Sequence, residues 1–252
     1  MIGKKAFRLQ LEKLLEKLPN YDFRKTDPSG IVEEFINSKP NAAKLDIEIA
    51  ALFISMISWG NRKAIRSTAR KLVFDEMRLE PERYIRSKEF ECNGNRVFSN
   101  CVYRTLNFAA FQQVCENVRL GINGFNSIEE AMEGKTSIEV LSTLCDWLKP
   151  ARIGVPGKSV CKRMCMYMRW MTRKSKPDFG VWQSRKESDL FAIMDVHVNR
   201  LTSPIRKCKT PTWTGCCELT EIFKSWDPID PLKYDIALMM YADEREEGTG
   251  NR

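Results

Sequence analysis

No apolar run in the 252 residues approaches the roughly 18 that a membrane-spanning helix needs, and 29% of the residues are charged. Both observations argue against a membrane protein. The N-terminus, MIGKKAFRLQLEKLLEKL, is basic, but it reads as an amphipathic helix rather than a secretion signal, so a cytoplasmic location is expected. The chain has no Cys-x-x-Cys pair. Its nine cysteines are Cys92, Cys101, Cys115, Cys145, Cys161, Cys165, Cys208, Cys216 and Cys217. An odd count without a secretion signal argues against a disulfide framework. Cys208, Cys216 and Cys217 cluster near the C-terminus, but an iron–sulfur centre needs four thiolates. Reduced thiols, partly in the core, are the expectation, with no metal and no cofactor. Strand signals are scarce. Only Leu190 to Met194 forms a short apolar run of strand length, and its periodicity does not decide its state. There is no repeat and no low-complexity segment.

Helical periodicity is what the sequence has in quantity. Phe7, Leu11, Leu14, Leu15 and Leu18 recur at the helical period. The stretch Asp27-Pro28-Ser29-Gly30 reads as a turn or helix start, followed by Ile31, Val32, Phe35 and Ile36 on one face. Asp46 is placed to cap a helix carrying Ile49, Leu52, Phe53, Met56 and Ile57. Trp59-Gly60-Asn61 interrupts it, and a second helix carries Ala64, Ile65, Ala69, Leu72, Val73 and Met77. Ser127 with Glu130 matches a capping box, and Ile138, Leu141, Cys145 and Leu148 mark the helix ahead of Pro150. Residues 174–189 read as a polar loop holding two bulky residues, Phe179 and Trp182, and the tail from Asp243 as frayed. The expected fold is all-α.

Charge is concentrated. The chain's formal net charge is +8, whereas residues 151–210 alone carry +10. A localised basic region suits a polyanion, because phosphate contacts release counterions. At its start, Pro150 ends the preceding helix, Gly154-Val155-Pro156-Gly157 makes a tight turn, and a new helix is expected near Lys158. A Gly-bounded hairpin can offer backbone N–H groups to a phosphate. At roughly 100° per residue, Lys158, Lys162, Arg169 and Arg173 fall on one narrow stripe, which faces either solvent or a DNA backbone. Downstream, Asp195 follows five apolar residues and precedes a plausible helix. It reads as an N-cap, a carboxylate at the edge of a dry pocket, or both.

Gly154-Val155-Pro156-Gly157-Lys158 followed by Asp195-Val196-His197-Val198 resembles the helix-hairpin-helix DNA glycosylase superfamily. Residues 46–55 are similar to its first-lobe helix. Residues 161–171 and 178–182 look closer still to an uncharacterised bacterial family related to the 8-oxoguanine glycosylases, the archaeal type especially. In this chain Pro156-Gly157 stands where the superfamily usually has Gly-x, and the loop at 174–189 lengthens the lysine-to-aspartate separation. The resemblance implies a single glycosylase-like unit of two helical lobes around a cleft. Residues 30–145 would form the first lobe, and residues 146–242 with the N-terminal helix the second. It implies base-excision repair on double-stranded DNA by a nucleoid-associated monomer, with lysine attack on the sugar C1′ at an oxidised purine such as 8-oxoguanine.

A lysine is a nucleophile only when its amine is neutral, and neighbouring cations or burial would favour that form. Lys162 is the favoured nucleophile, Lys158 the other candidate, and Asp195 the carboxylate that stabilises the sugar cation. Gly154, Gly157, Asn61, Arg62, Arg169 and Arg173 would contact DNA. Trp59, Trp182 and His197 would line the pocket that receives the extruded base. The alternative reading is a non-catalytic DNA-binding protein of the same fold.

Overall fold

The computed structural model describes residues 3–92 and 97–248. Among these residues the chain forms twelve α-helices and one short hairpin. The helices are α1 (Lys4–Leu15), α2 (Ser29–Ser38), α3 (Lys44–Ile57), α4 (Arg62–Arg70), α5 (Pro81–Arg86), α6 (Phe108–Gly121), α7 (Ile128–Ala131), α8 (Ser137–Trp147), α9 (Lys162–Thr172), α10 (Val196–Thr202), α11 (Trp213–Trp226) and α12 (Lys233–Gly248). The hairpin pairs β1 (Cys101–Tyr103) antiparallel to β2 (Leu106–Asn107). Among the described residues no helix is long and apolar enough to cross a membrane.

The all-α expectation holds, and most helices follow their periodicity. α1 buries Phe7, Leu11 and Leu14, and packs against α12. α2 starts at Ser29, whose N–H donates to the Asp27 carboxylate at 2.9 Å. α3 is apolar nearly all round, and a helix with that pattern must sit inside. Twelve of its residues are buried, and it packs on α2, α5 and α9. One apolar cluster runs from Phe7 to Leu238. The second expected helix is α4, continued by a π-helical turn over Lys71–Glu76.

Several local expectations need correction. Asp46 does not cap α3, which begins two residues earlier behind Ala43. Its carboxylate instead accepts from the Glu82 N–H at 2.9 Å, at the start of α5, and from Lys39 at 2.7 Å. Ser127 caps α7, but Glu130 turns to the Asn126 N–H, so the box is only half formed. The complete capping box is Thr136 with Glu139, at the start of α8. Residues 190–194 are extended but join no sheet. Their backbone is satisfied by side chains: Ala192 N–H donates to Thr220 Oγ1 at 2.9 Å, and Ile193 N–H to Asp235 Oδ2 at 3.0 Å. The tail read as frayed is helical to Gly248. Its last residues, 249–252, lie outside the described residues.

The loop at 174–189 is polar in composition yet anchored in the core. Phe179 and Gly180 N–H groups donate to Trp170 O at 3.0 and 3.2 Å, and Trp182 N–H to Met171 O at 2.7 Å, so the loop caps the C-terminal carbonyls of α9. Trp182 is fully buried, edge-on to Tyr167, and donates Nε1–H to Glu48 at 2.7 Å. Glu48 also accepts from the Ile128 and Glu129 N–H groups at 2.7 and 3.0 Å, capping α7 from across the core. Burial pushes the Glu48 carboxyl up to about 7, against the pull of these donors. Glu129 continues the lattice by accepting from Gln183 N–H, from the Ser184 N–H and hydroxyl, and from Lys44.

Candidate active site

Two helix N-termini meet through one ion pair. Lys162 opens α9 and Asp195 caps α10. Lys162 Nζ lies 3.0 Å from Asp195 Oδ2, and Val198 N–H donates to Asp195 Oδ1 at 2.8 Å. The pair is partly open to solvent: the two side chains keep 35% and 26% of their accessible surface. Burial raises the Asp195 carboxyl. Lys162, the Val198 N–H and His197 outweigh that, and the net position is below the usual carboxylate range. Asp195 is therefore an anion at neutral pH, held at both oxygens.

What fixes Asp195 is the extended approach. Leu190, Ala192, Ile193 and Met194 are buried, and Cys216 Sγ donates to Ala192 O at 3.0 Å. The Asp235 carboxylate that receives Ile193 N–H is completely buried in α12. Burial lifts it to about 7, and its second oxygen has no hydrogen-bond partner.

The hairpin ahead of Lys162 differs from its expected form. Helix α9 does not start near Lys158. Lys158 sits exposed in a turn closed by its own N–H to Val155 O at 3.2 Å, and the helix begins four residues on. Gly157 takes a positive φ of 82° at the exposed tip. Gly154 is required for a different reason: a Cβ there would lie 2.1 Å from Ser159 Oγ. Arg163 locks the hairpin to the first half of the chain, donating to Met56 O at 2.7 Å in α3 and to Arg152 O at 2.8 Å.

The expected cationic stripe is not a surface. Arg169 and Arg173 are each only 2% exposed. Both hold Asp178, at 3.0 and 3.2 Å, and Arg173 also holds Asp230 at 2.9 Å. Neither can reach a DNA backbone as expected, because a buried guanidinium is retained only where carboxylates and carbonyls satisfy it. Nor do they act as unbalanced cations beside Lys162. Of the fourteen cations in residues 151–210, those exposed are Arg152, Lys158, Lys174, Lys176, Lys186, Arg200, Lys207 and Lys209. Arg206 is buried on Thr202 Oγ1 at 3.0 Å and Asn199 Oδ1 at 2.6 Å.

Trp182 is likewise a core residue and lines no open pocket. His197 is exposed on the first turn of α10. Trp59 is half-buried at the end of α3, edge-on to Tyr103, with Arg104 over its ring at 4.3 Å. Asn61 caps α4 through Ala64 N–H at 3.0 Å, and Arg62 pairs with Asp243 at 2.8 Å. Among the described residues, no group of three or more His, Cys, Asp or Glu is arranged to hold a metal ion.

Sequence reasoning missed Glu48, Arg104 and Asp235. Arg104 had a local signal only in hindsight of the fold: it turns the β1–β2 hairpin at a φ of 50° and packs so close to Gly60 that a Cβ there would meet its Nη1 at 2.3 Å. Glu48 had none, since one acid inside an apolar helix reads as its polar edge.

The molecule is thus a helical protein carrying a lysine–carboxylate pair at two adjoining helix N-termini. The chain belongs to the family described as Protein of unknown function (DUF2400), whose model matches residues 27–242. No curated protein and no solved structure matches it.

Proposed function

We propose that the protein is a DNA base-excision glycosylase of the helix-hairpin-helix kind, with lyase activity, acting on an oxidised purine such as 8-oxoguanine in duplex DNA. The reading rests on the sequence resemblance. The observation that carries it further is the 3.0 Å contact between Lys162 and Asp195, two residues 33 positions apart. In this scheme the extruded nucleotide displaces water from the open side of the pair. Asp195 takes the Lys162 proton, the neutral amine attacks C1′, and the bond from C1′ to the base nitrogen breaks. The departing base takes that proton from Asp195, which is then again the carboxylate that faces the cationic sugar. The resulting Schiff base permits strand cleavage by elimination. Lys162 is preferred to Lys158, because Lys158 sits on an exposed turn and, among the described residues, pairs with no carboxylate as Lys162 does with Asp195. The exposed Lys158 precedes α9 in the chain, and the exposed Arg200, Lys207 and Lys209 lie in or after α10; these are the cations that would meet phosphates.

The experiment is incubation with duplexes each bearing one lesion, with borohydride present. The expected result is a trapped protein–DNA adduct on the 8-oxoguanine duplex, ahead of uracil and mismatches. No adduct and no base release on any duplex would overturn the enzymatic reading.

A further inference from the structure

Four buried thiols form a chain of contacts that passes through Cys161, the residue before Lys162. Cys145 is in α8, Cys161 is the residue capping α9, Cys165 is one turn into α9, and Cys216 is in α11. Cys145 Sγ and Cys161 Sγ are 3.3 Å apart, and Cys145 Sγ is also 3.3 Å from Gly154 O in the hairpin. Cys165 sits between Cys161 and Cys216 and interacts with both. The bland account is a set of small apolar side chains filling a core. Two features argue past it.

The first is the backbone at Cys161. It takes a φ of 51°, in the left-handed region that a residue with a side chain adopts at a cost. The N-cap position favours Ser, Thr, Asp or Asn, yet this side chain makes no capping bond. The strained position instead holds the sulfur against Cys145, at the positive end of an eleven-residue helix. The second is polarity within the pair. The sulfur contacts with Cys145 and Cys165 lower the Cys161 thiol below the ordinary range against the opposing effect of burial. The same contact and burial raise Cys145. The two sulfurs are therefore unequal, with Cys161 the one nearer to the thiolate form.

We propose that Cys145 and Cys161 form an oxidisable dithiol, converted by hydrogen peroxide to an intramolecular disulfide with Cys161 reacting first. The Cys161 thiolate attacks one peroxide oxygen and the O–O bond breaks. Hydroxide leaves and takes a solvent proton, so peroxide is reduced and Cys161 becomes a sulfenic acid. The Cys145 sulfur then attacks the Cys161 sulfur. The S–S bond forms, the S–O bond breaks, and the Cys145 proton leaves with the hydroxyl as water. Overall two thiols and one peroxide give one disulfide and two waters. Closing the bond brings the sulfurs about 1.3 Å nearer than they stand, given the usual S–S length. The movement falls on the residue immediately before Lys162. Oxidation therefore shifts the first turn of α9 relative to Asp195.

The test is peptide mapping of the whole reduced protein after graded peroxide, with free thiols blocked by an alkylating agent and digestion under non-reducing conditions. A Cys145–Cys161 linked peptide, lighter by two hydrogens and reversed by dithiothreitol, is expected. It should form at peroxide levels that leave the protein monomeric. With Cys145→Ser the Cys161 sulfenic acid should accumulate and react with dimedone, whereas Cys161→Ser should leave Cys145 unmodified. If Cys161 stays fully alkylatable while the exposed Cys92 and Cys101 are oxidised, the proposal is wrong. It is equally wrong if Cys161 pairs with another cysteine. The wild-type map needs neither variant to fold, and it reads bond formation without any DNA. Failure of the repair function would therefore leave this result standing.

Discussion

Asp195 accepts two hydrogen bonds, one structural and one chemical, and substitution separates them. Its Oδ1 holds the Val198 N–H and its Oδ2 holds Lys162. Asn caps a helix about as well as Asp, so Asp195→Asn keeps the first bond and loses the second. The pair is partly exposed, and its loss should change stability by no more than about 1 kcal/mol. Under the proposed chemistry the same variant should bind lesion DNA normally and react about 10²–10⁴ times more slowly. Single-turnover kinetics beside a denaturant melt would separate the two effects. A fully active Asp195→Asn protein would remove the carboxylate from the mechanism. Lys162→Gln should abolish borohydride trapping, while Lys158→Gln should retain it; the reverse pattern would move the nucleophile to the hairpin. Asp195 was legible in the sequence, since an aspartate between an apolar run and a helix is a cap by its position. The Gly-bounded turn placed the helix start at Lys158 instead, and Lys162 rested on the resemblance. Arg169 and Arg173 were misread, because helical angle says which residues share a face but not what covers it. The partners that bury them, Asp178 and Asp230, come from loops no periodicity can place.

At the scale of elements, α9 is held at both ends by devices the sequence does not announce. Its start rests on Cys161 in a left-handed conformation, a state with no residue-type signal outside glycine. That is why the helix begins at Lys162 and not at Lys158. Its end rests on the loop at 174–189, whose composition reads as solvent-facing. Asp178 has no exposed side-chain surface and serves two buried guanidiniums. Removing one member of such a group leaves buried charge without its counterpart. Asp178→Ala should therefore cost about 3–5 kcal/mol. It should appear as a lower urea midpoint at unchanged slope. Lys158→Ala, on the exposed turn, should move the midpoint by no more than about 0.5 kcal/mol. A loss at Asp178 as small as that at Lys158 would mean the two arginines rehydrate without unfolding the loop. The helix α1 was readable because one buried face leaves its period in the sequence; α8 was readable as a helix, but its expected face was partly wrong, since Ile138 is exposed and Val140 and Leu144 are buried. The β1–β2 hairpin was not, being only five residues of strand.

Over the whole molecule, charge acts in two ways. The localised positive charge of residues 151–210 was readable, but its exposed part was not, since several cations serve as internal donors. Duplex affinity should fall linearly with salt on a log–log plot. Lys158→Glu with Arg200→Glu should weaken all sequences alike. Salt-independent binding would refute a phosphate interface. Buried acids act in the other direction, on stability. Asp235 is completely buried, and its carboxyl is raised from an ordinary value of 3.8 to about 7. Between those two values the unfolded chain has released this proton and the folded chain keeps it. Raising the pH therefore favours unfolding, by at most about 1.4 kcal/mol per pH unit for this one group. The contribution is fully present below the unfolded pKa and is lost as pH rises toward the folded one. Asn at 235 can still accept the Ile193 N–H, but it has no proton to release. Glu48, raised by burial in the same sense, is a poorer probe, because a glutamine amide would set a donor against its three donors. The measurement is thus the difference in unfolding free energy between Asp235→Asn and wild type, by urea titration at intervals from pH 4 to pH 8. That difference should shift steadily in favour of the variant as pH rises, then level off near neutrality. The cap at Asp195 and the ion pairs common to both proteins cancel in the comparison. A difference that stays flat across the range would mean that Asp235 is ionised in the folded protein, with Arg169 carrying more of its charge than burial opposes.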